Sequence, residues 1–230
     1  MSEYPLGYSD IYRLWQRVHD RPLVNGAPAG TAADQAHMVL LDPAQPGTAA
    51  ALSLLGVTAI EIHPGGPADV PVEPREPTGL AGYRLVGRYA DGASVWDVVA
   101  RPAAALAVPA GGFLAPTRRG AGPLEFPLAS PPGTLELRAK SAGVVLLTFA
   151  ATVQGGGSTT LHIGDGNRDI AIPVVGTTPV SVAVQVPRGR SEVFLRPQGS
   201  ASISVSLPRA TASRAQAALS ALPLASDPGF

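Results

Sequence analysis

The sequence reads as a small open α/β sheet domain followed by an all-β, eight-stranded jelly-roll β-sandwich. Three observations carry this expectation. Gly and Pro number 26 and 24 in 230 residues, yet 45% of the chain is hydrophobic, so many tight turns must enclose a real core. Between residues 124 and 207, eight short segments follow one another at even spacing, several alternating strictly between apolar and polar. Both Trp and all five Tyr lie at or before Trp96, whereas only Phe follows, and this shift in composition divides the chain near residue 100.

Residues 1–100 form the predicted α/β domain. Ile11, Leu14, Trp15 and Val18 make one helical stripe, with Ser9 placed as its N-cap, Asp10 favouring the dipole and Pro22 as its stop. A second helix is expected from Thr48 to Leu55, with Gly56 at the C′ position. It leads into the strand Val57–Ile62, which ends at His63-Pro64. After a Pro-rich excursion, Tyr83–Tyr89 and Ser94–Val99 flank Asp91-Gly92, a strong hairpin signal.

Residues 101–122, rich in Ala, Pro and Gly, read as a linker. Residues 123–209 then hold the eight candidate strands: Leu124–Leu128, Thr134–Lys140, Val144–Thr152, Thr159–Ile163, Arg168–Val174, Val180–Val186, Glu192–Arg196 and Ala201–Leu207. Such a series suits a two-sheet sandwich of jelly-roll type. Residues 210–230 read as a tail or short helix.

Composition also excludes functions. Net charge is zero and Lys140 is the only lysine, which argues against nucleic acid as a partner. Without cysteine there is no disulfide framework, thiolate metal site or Cys nucleophile. No stretch reaches the roughly 18 consecutive apolar residues of a membrane-spanning helix. The longest apolar run, Val144–Ala151, is β-branched and reads as a buried strand. No charged segment followed by an apolar one opens the chain, so the piece reads as soluble.

The candidate chemistry is sparse. His19, His37, His63 and His162 include no i, i+4 pair, which gives zinc little support. His63 closes a strand where open α/β sheets place ligands, or simply terminates that strand at the surface. Glu61 lies in an otherwise apolar strand, and its side chain is expected to point outward between Ile60 and Ile62. Asp165, Asn167 and Asp169 alternate like the opening of a calcium loop, although Asp-Gly-Asn is also ordinary hairpin chemistry. No Gly-x-Ser-x-Gly elbow occurs, and the Gly-rich stretches do not join strand to helix as phosphate loops do. The sandwich segment has no Trp or Tyr to stack on a sugar, so Asp, Asn and Arg in loops would have to grip one.

The pattern Glu3-x-Pro-Leu6, followed by Trp15-Gln-x-x-His-x-Arg-Pro-Leu-Val-Asn-Gly26, resembles a region after the last membrane helix of polytopic GT-C-type glycosyltransferases, the polyprenyl-phosphate-sugar-dependent enzymes. Leu54–His63 and the segments Tyr83–Tyr89 and Val95–Val98 are similar to that family's soluble strand and hairpin. The resemblance spans roughly the first hundred residues, and Glu61 departs from the family's aliphatic run. It implies an extracytoplasmic carboxyl-terminal portion of a membrane enzyme, with Met1 an added start. The partner would be the membrane-embedded part of the same polypeptide. The family's catalytic acid lies between early membrane helices, so no catalytic residue is expected here. The resemblance further implies that His19, Arg21 and Asn25 position the domain on the membrane part or touch an acceptor glycan. Tyr12 and Trp15 join them as candidate contacts, with simple core packing as the other reading.

The expected function is therefore a non-catalytic accessory domain of a membrane glycosyltransferase in cell-envelope glycan assembly, in contact with acceptor glycan. The alternatives are a free-standing secreted glycan-binding protein and a soluble hydrolase drawing on Glu61, Asp91 and Asp97.

Overall fold

In a computed structural model the chain divides into two units, Met1–Ala103 and Ala104–Phe230. The structure describes residues 2–4, 36–64, 72–118, 120, 122–165, 168–212 and 222–223. The helix expected around Ile11–Val18 lies outside the described residues, as do Tyr12, Trp15, His19, Arg21 and Asn25.

In the first unit, β1 (Ser2–Tyr4), β2 (Ala59–Ile62), β3 (Tyr83–Arg88) and β4 (Ser94–Val98) form one sheet in the order β1-β2-β4-β3. The sheet is mixed, because β1 lies parallel to β2 while the remaining pairs are antiparallel. Helix α1 (Thr48–Leu54) packs on β4 and buries Ala49, Leu52 and Leu54. It stops where the sequence says it should. Gly56 adopts φ 82°, the Gly56 amide bonds the Ser53 carbonyl at 3.0 Å, and the Val57 amide reaches that of Leu52 at 2.9 Å. That pair of bonds is the Schellman closure, which needs a residue at ease with positive φ.

The β3–β4 hairpin forms, with Asp91 Oδ1 accepting the Ala93 amide at 3.0 Å. A register shift between Leu85 and Gly87 gives it a bulge that alternation alone does not announce. Glu76 clamps this hairpin: its two oxygens accept Arg88 Nη1 at 2.6 Å and Nη2 at 2.5 Å. Those bonds hold the Glu76 carboxyl below the usual glutamate value.

Trp96 is buried and donates from Nε1 to Ser94 Oγ at 2.9 Å. The hydroxyls of Tyr4 and Tyr83 are buried without a hydrogen-bond partner among the described residues. Burial, and then the charge of Asp42, push both phenols well above their ordinary value, Tyr4 feeling Tyr83 as well. A raised folded value means that the native state holds the proton more tightly. The associated stability is complete below the unfolded phenol value of about 10 and is lost as pH rises beyond it. Every tyrosine lies before residue 90, so the loss belongs to the first unit. Trp fluorescence titrated through alkaline pH should show it unfold, and the double variant Tyr4→Phe/Tyr83→Phe should abolish the transition. An unchanged transition in that variant would contradict the assignment.

The second unit contains β5 (Leu106–Pro109), β6 (Thr117–Arg118), β7 (Leu124–Pro127), β8 (Gly133–Ala139), β9 (Gly143–Val153) and β10 (Ser158–Gly164). It continues with β11 (Asp169–Val175), β12 (Thr177–Val186), β13 (Gly189–Pro197), β14 (Ile203–Ser206), β15 (Arg209–Ala212) and β16 (Leu222–Pro223). One sheet runs β11-β10-β13-β8-β5, the other β16-β12-β9-β14-β7-β6, with β15 also on β9. All eight predicted strands are present, as β7 to β14. Their interleaving, β7-β14-β9-β12 in one sheet and β8-β13-β10-β11 in the other, with every pair antiparallel, is the jelly roll. Alternate positions fill the core, among them Leu135, Leu137, Leu161, Ile163, Val193 and Leu195 from the first sheet. Phe126, Leu147, Phe149, Val182, Val184 and Val205 come from the second.

Two expectations need correction. The stretch 101–122 is not a plain linker: the unit boundary falls after Ala103, β5 is buried at all four positions and pairs with β8, and β6 pairs with β7. A strand of Leu, Ala, Val and Pro hides among small residues, and its Pro is tolerated because β5 is an edge strand. The stretch 210–230 is not simply a tail, since Arg209–Ala212 pairs with β9 and Leu222–Pro223 with β12. Pro208 breaks the ladder between β14 and β15, and Ser206 Oγ accepts the Ala150 amide at 2.8 Å across the break.

Candidate functional site

The site is built by strand register on the face of β10, β11 and β13 that points away from the sandwich core. His162 stands opposite Arg196 on one side and Ala171 on the other. Gly164, two residues along, stands opposite Phe194 and Asp169. Side chains two residues apart share a face, so these cross-strand neighbours meet. Asp169 Oδ2 accepts from Arg196 Nη2 at 3.2 Å and lies 3.1 Å from His162 Nδ1.

Around this trio is a concavity of about 340 Å³, completed by Phe194, Arg168, Gly164 and Pro132. Gly164 is required by close approach. A Cβ there would collide with the carbonyl oxygen of Arg168, where the β10–β11 turn folds back. The turn is tied by Asp165, whose amide bonds the Arg168 carbonyl at 3.1 Å and whose Oδ1 accepts the Arg168 amide at 2.9 Å. The result is a polar rim of donors and acceptors beside one aromatic face.

The residues singled out from sequence scatter by comparison. Asp165 and Asp169 are described and Asn167 is not. Asp165 makes the turn bonds and Asp169 serves His162 and Arg196, which is hairpin and cross-strand chemistry. Among the described residues, no group of three or more His, Asp or Glu gathers as a metal site. His63 lies in the other unit, its amide bonded to the Tyr4 carbonyl at 3.1 Å and its Nε2 3.8 Å from Glu61 Oε1. Glu61 points outward between buried Ile60 and Ile62, as expected. Of the carboxylates in the hydrolase set, Asp97 pairs with Arg84 at 2.5 Å and Asp91 accepts the Ala93 amide in its turn.

Sequence reasoning missed Arg168, Phe194 and Arg196 as site residues, and it weighed His162 only for metal. The available signal was alternation, which puts His162, Phe194 and Arg196 on the outer face of predicted strands. What alternation cannot supply is which strands are neighbours.

No family model matches the sequence, and no curated protein matches it. Among solved structures the chain is similar to a native family 35 carbohydrate binding module from Clostridium thermocellum, at 12% identity and a TM-score of 0.37, over 46% of this chain and 92% of that one. It is similar to a carbohydrate binding module from Cellvibrio mixtus lichenase 5A in complex with cellotriose, at 17% identity and 0.32, over 45% and 89%. A cycloalternan-forming enzyme from Listeria monocytogenes aligns at 10% identity and 0.37, over 66% of this chain and 18% of its own. At TM-scores of this size neither fold nor ligand is inferred from them; the jelly roll rests on the strand order itself.

Proposed function

We propose that this chain is a non-catalytic glycan-binding module, the extracytoplasmic accessory part of a GT-C-type membrane glycosyltransferase. The observation that carries glycan binding is the concavity on β10, β11 and β13. Sugars present hydroxyls that donate and accept beside apolar CH faces, and here Asp169, His162 and two arginines stand around the Phe194 ring. This arrangement supports sugar contact through Asp and Arg, with Phe rather than Trp or Tyr as the stacking surface. The membrane parent is supported by the resemblance carried in Trp15–Gly26 and Leu54–His63, and with it an extracytoplasmic location.

A glycan array probed with the full chain, followed by calorimetry on the best hit, tests the binding. Phe194→Ala should weaken that hit roughly two- to tenfold, since an aromatic face contributes about 0.5–1.5 kcal/mol. Absence of any saturable sugar binding would overturn the reading. Turnover of the glycan would replace the module with a hydrolase. The parentage is tested by the gene: a reading frame continuing upstream of Glu3 into apolar helices is expected, and a native start at Met1 would refute it.

A further inference from the structure

Charge in the concavity is unbalanced. One carboxylate, Asp169, faces two guanidiniums, those of Arg168 and Arg196. Arg196 is partly neutralised by its bond to Asp169 Oδ2 at 3.2 Å. Arg168 is fixed through its backbone, with both its amide and its carbonyl bonded to Asp165. Its guanidinium makes no hydrogen bond or ion pair among the described residues. Elsewhere in the same unit, Arg138 and Arg190 are paired with Glu136, and Arg190 with Glu192 as well. A spare guanidinium on a tied turn, beside a second one and an aromatic face, is the arrangement that selects a planar or tetrahedral oxyanion.

Resting on the glycan-binding reading above, we propose that the saccharide bound here is acidic, its carboxylate or phosphate held by Arg168 while its ring lies on Phe194. Asp169 then acts as a positioning residue, setting His162 and Arg196 at the rim. It also disfavours an anion placed directly over it, which directs the acidic group toward the Arg168 side. Neutral sugars would use the same hydroxyl contacts without the ionic one.

The test is calorimetry with the full chain against three probes: a glucuronic-acid disaccharide, glucose 1-phosphate and a neutral glucose disaccharide. At least one acidic probe should bind roughly tenfold or more tightly than the neutral one, with affinity falling as salt is raised. Comparing the two acidic arms distinguishes a uronate from a sugar phosphate. Arg168→Ala should erase the preference for the acidic probe, weakening the acidic probe roughly tenfold more than the neutral one, and Arg168→Lys should restore part of that preference. Arg168 is exposed, so neither change threatens folding. Equal binding of neutral and acidic probes would overturn this proposal and leave glycan binding standing. Failure of all three probes together with a blank glycan array would remove both. A preference that survives Arg168→Ala would likewise refute the assignment to this residue.

Discussion

Replacing Asp42 with alanine is expected to lower the stability of the first unit by about 3 kcal/mol, the lower end for breaking a buried ion pair. Asp42 is fully buried, and Arg75 with 35% side-chain exposure is its partner at 2.8 Å, which places the effect at that lower end. The carboxylate does more than pair. Oδ1 accepts the amides of Ala44 and Arg75, each at 3.1 Å, and Oδ2 accepts Gln45 Nε2 at 3.2 Å and Arg75 Nε at 2.9 Å. It therefore ties the turn before α1 to a segment 33 residues away. Alanine leaves these donors facing an apolar methyl, and a buried donor without an acceptor costs its full desolvation. Denaturant unfolding followed by Trp fluorescence measures the loss, because both Trp belong to this unit. Arg75→Ala should cost less, since it removes the more exposed partner. A loss below about 1 kcal/mol for Asp42→Ala would show that Asp42 is not the keystone of this unit.

Glu136→Ala should destabilise the jelly roll by a comparable amount, about 3–4 kcal/mol. Glu136 lies on the outward face of β8, yet its side chain is only 1% exposed. Its Oε1 accepts Arg138 Nε, and Oε2 lies 2.8 Å from Arg190 Nε, close enough for an ion pair although the angle does not make a hydrogen bond. Arg190 reaches on to Glu192 at 2.9 Å. Removing the central carboxylate strands the half-buried Arg138 guanidinium and leaves Arg190 with Glu192 alone, whereas replacing Glu136, Arg138 and Arg190 together by Met or Leu should restore stability to near the starting level or above. Thermal unfolding by far-UV circular dichroism, with amide exchange across Thr134–Ala139, reads both. If the triple apolar variant is as unstable as the single one, the loss is not a matter of unpaired charge.

How far the sequence reached differs from element to element. Strict alternation in Leu135/Leu137 and Val205 against Ser204 and Ser206 located strands because half-buried strands must alternate. Gly56 ended α1 because its positive φ closes the helix. β1 carried no such signal: three residues have no periodicity, and Ser2–Tyr4 becomes a strand only because β2 offers a free edge. β5 was hidden by Ala and Pro, residues shared by linkers and edge strands. The motif-bearing residues Tyr12, Trp15, His19, Arg21 and Asn25 stay outside the described part, so their role rests on the resemblance alone.

The number, order and inward faces of the sandwich strands are written in the chain, because burial periodicity is a local property. The meeting of His162, Asp169, Phe194 and Arg196, with Arg168 brought over them by its turn, is not. Residues 162 and 196 become opposite partners through the jelly-roll crossing of β10 and β13. That adjacency follows from how two whole sheets pair, and no short stretch of chain encodes it.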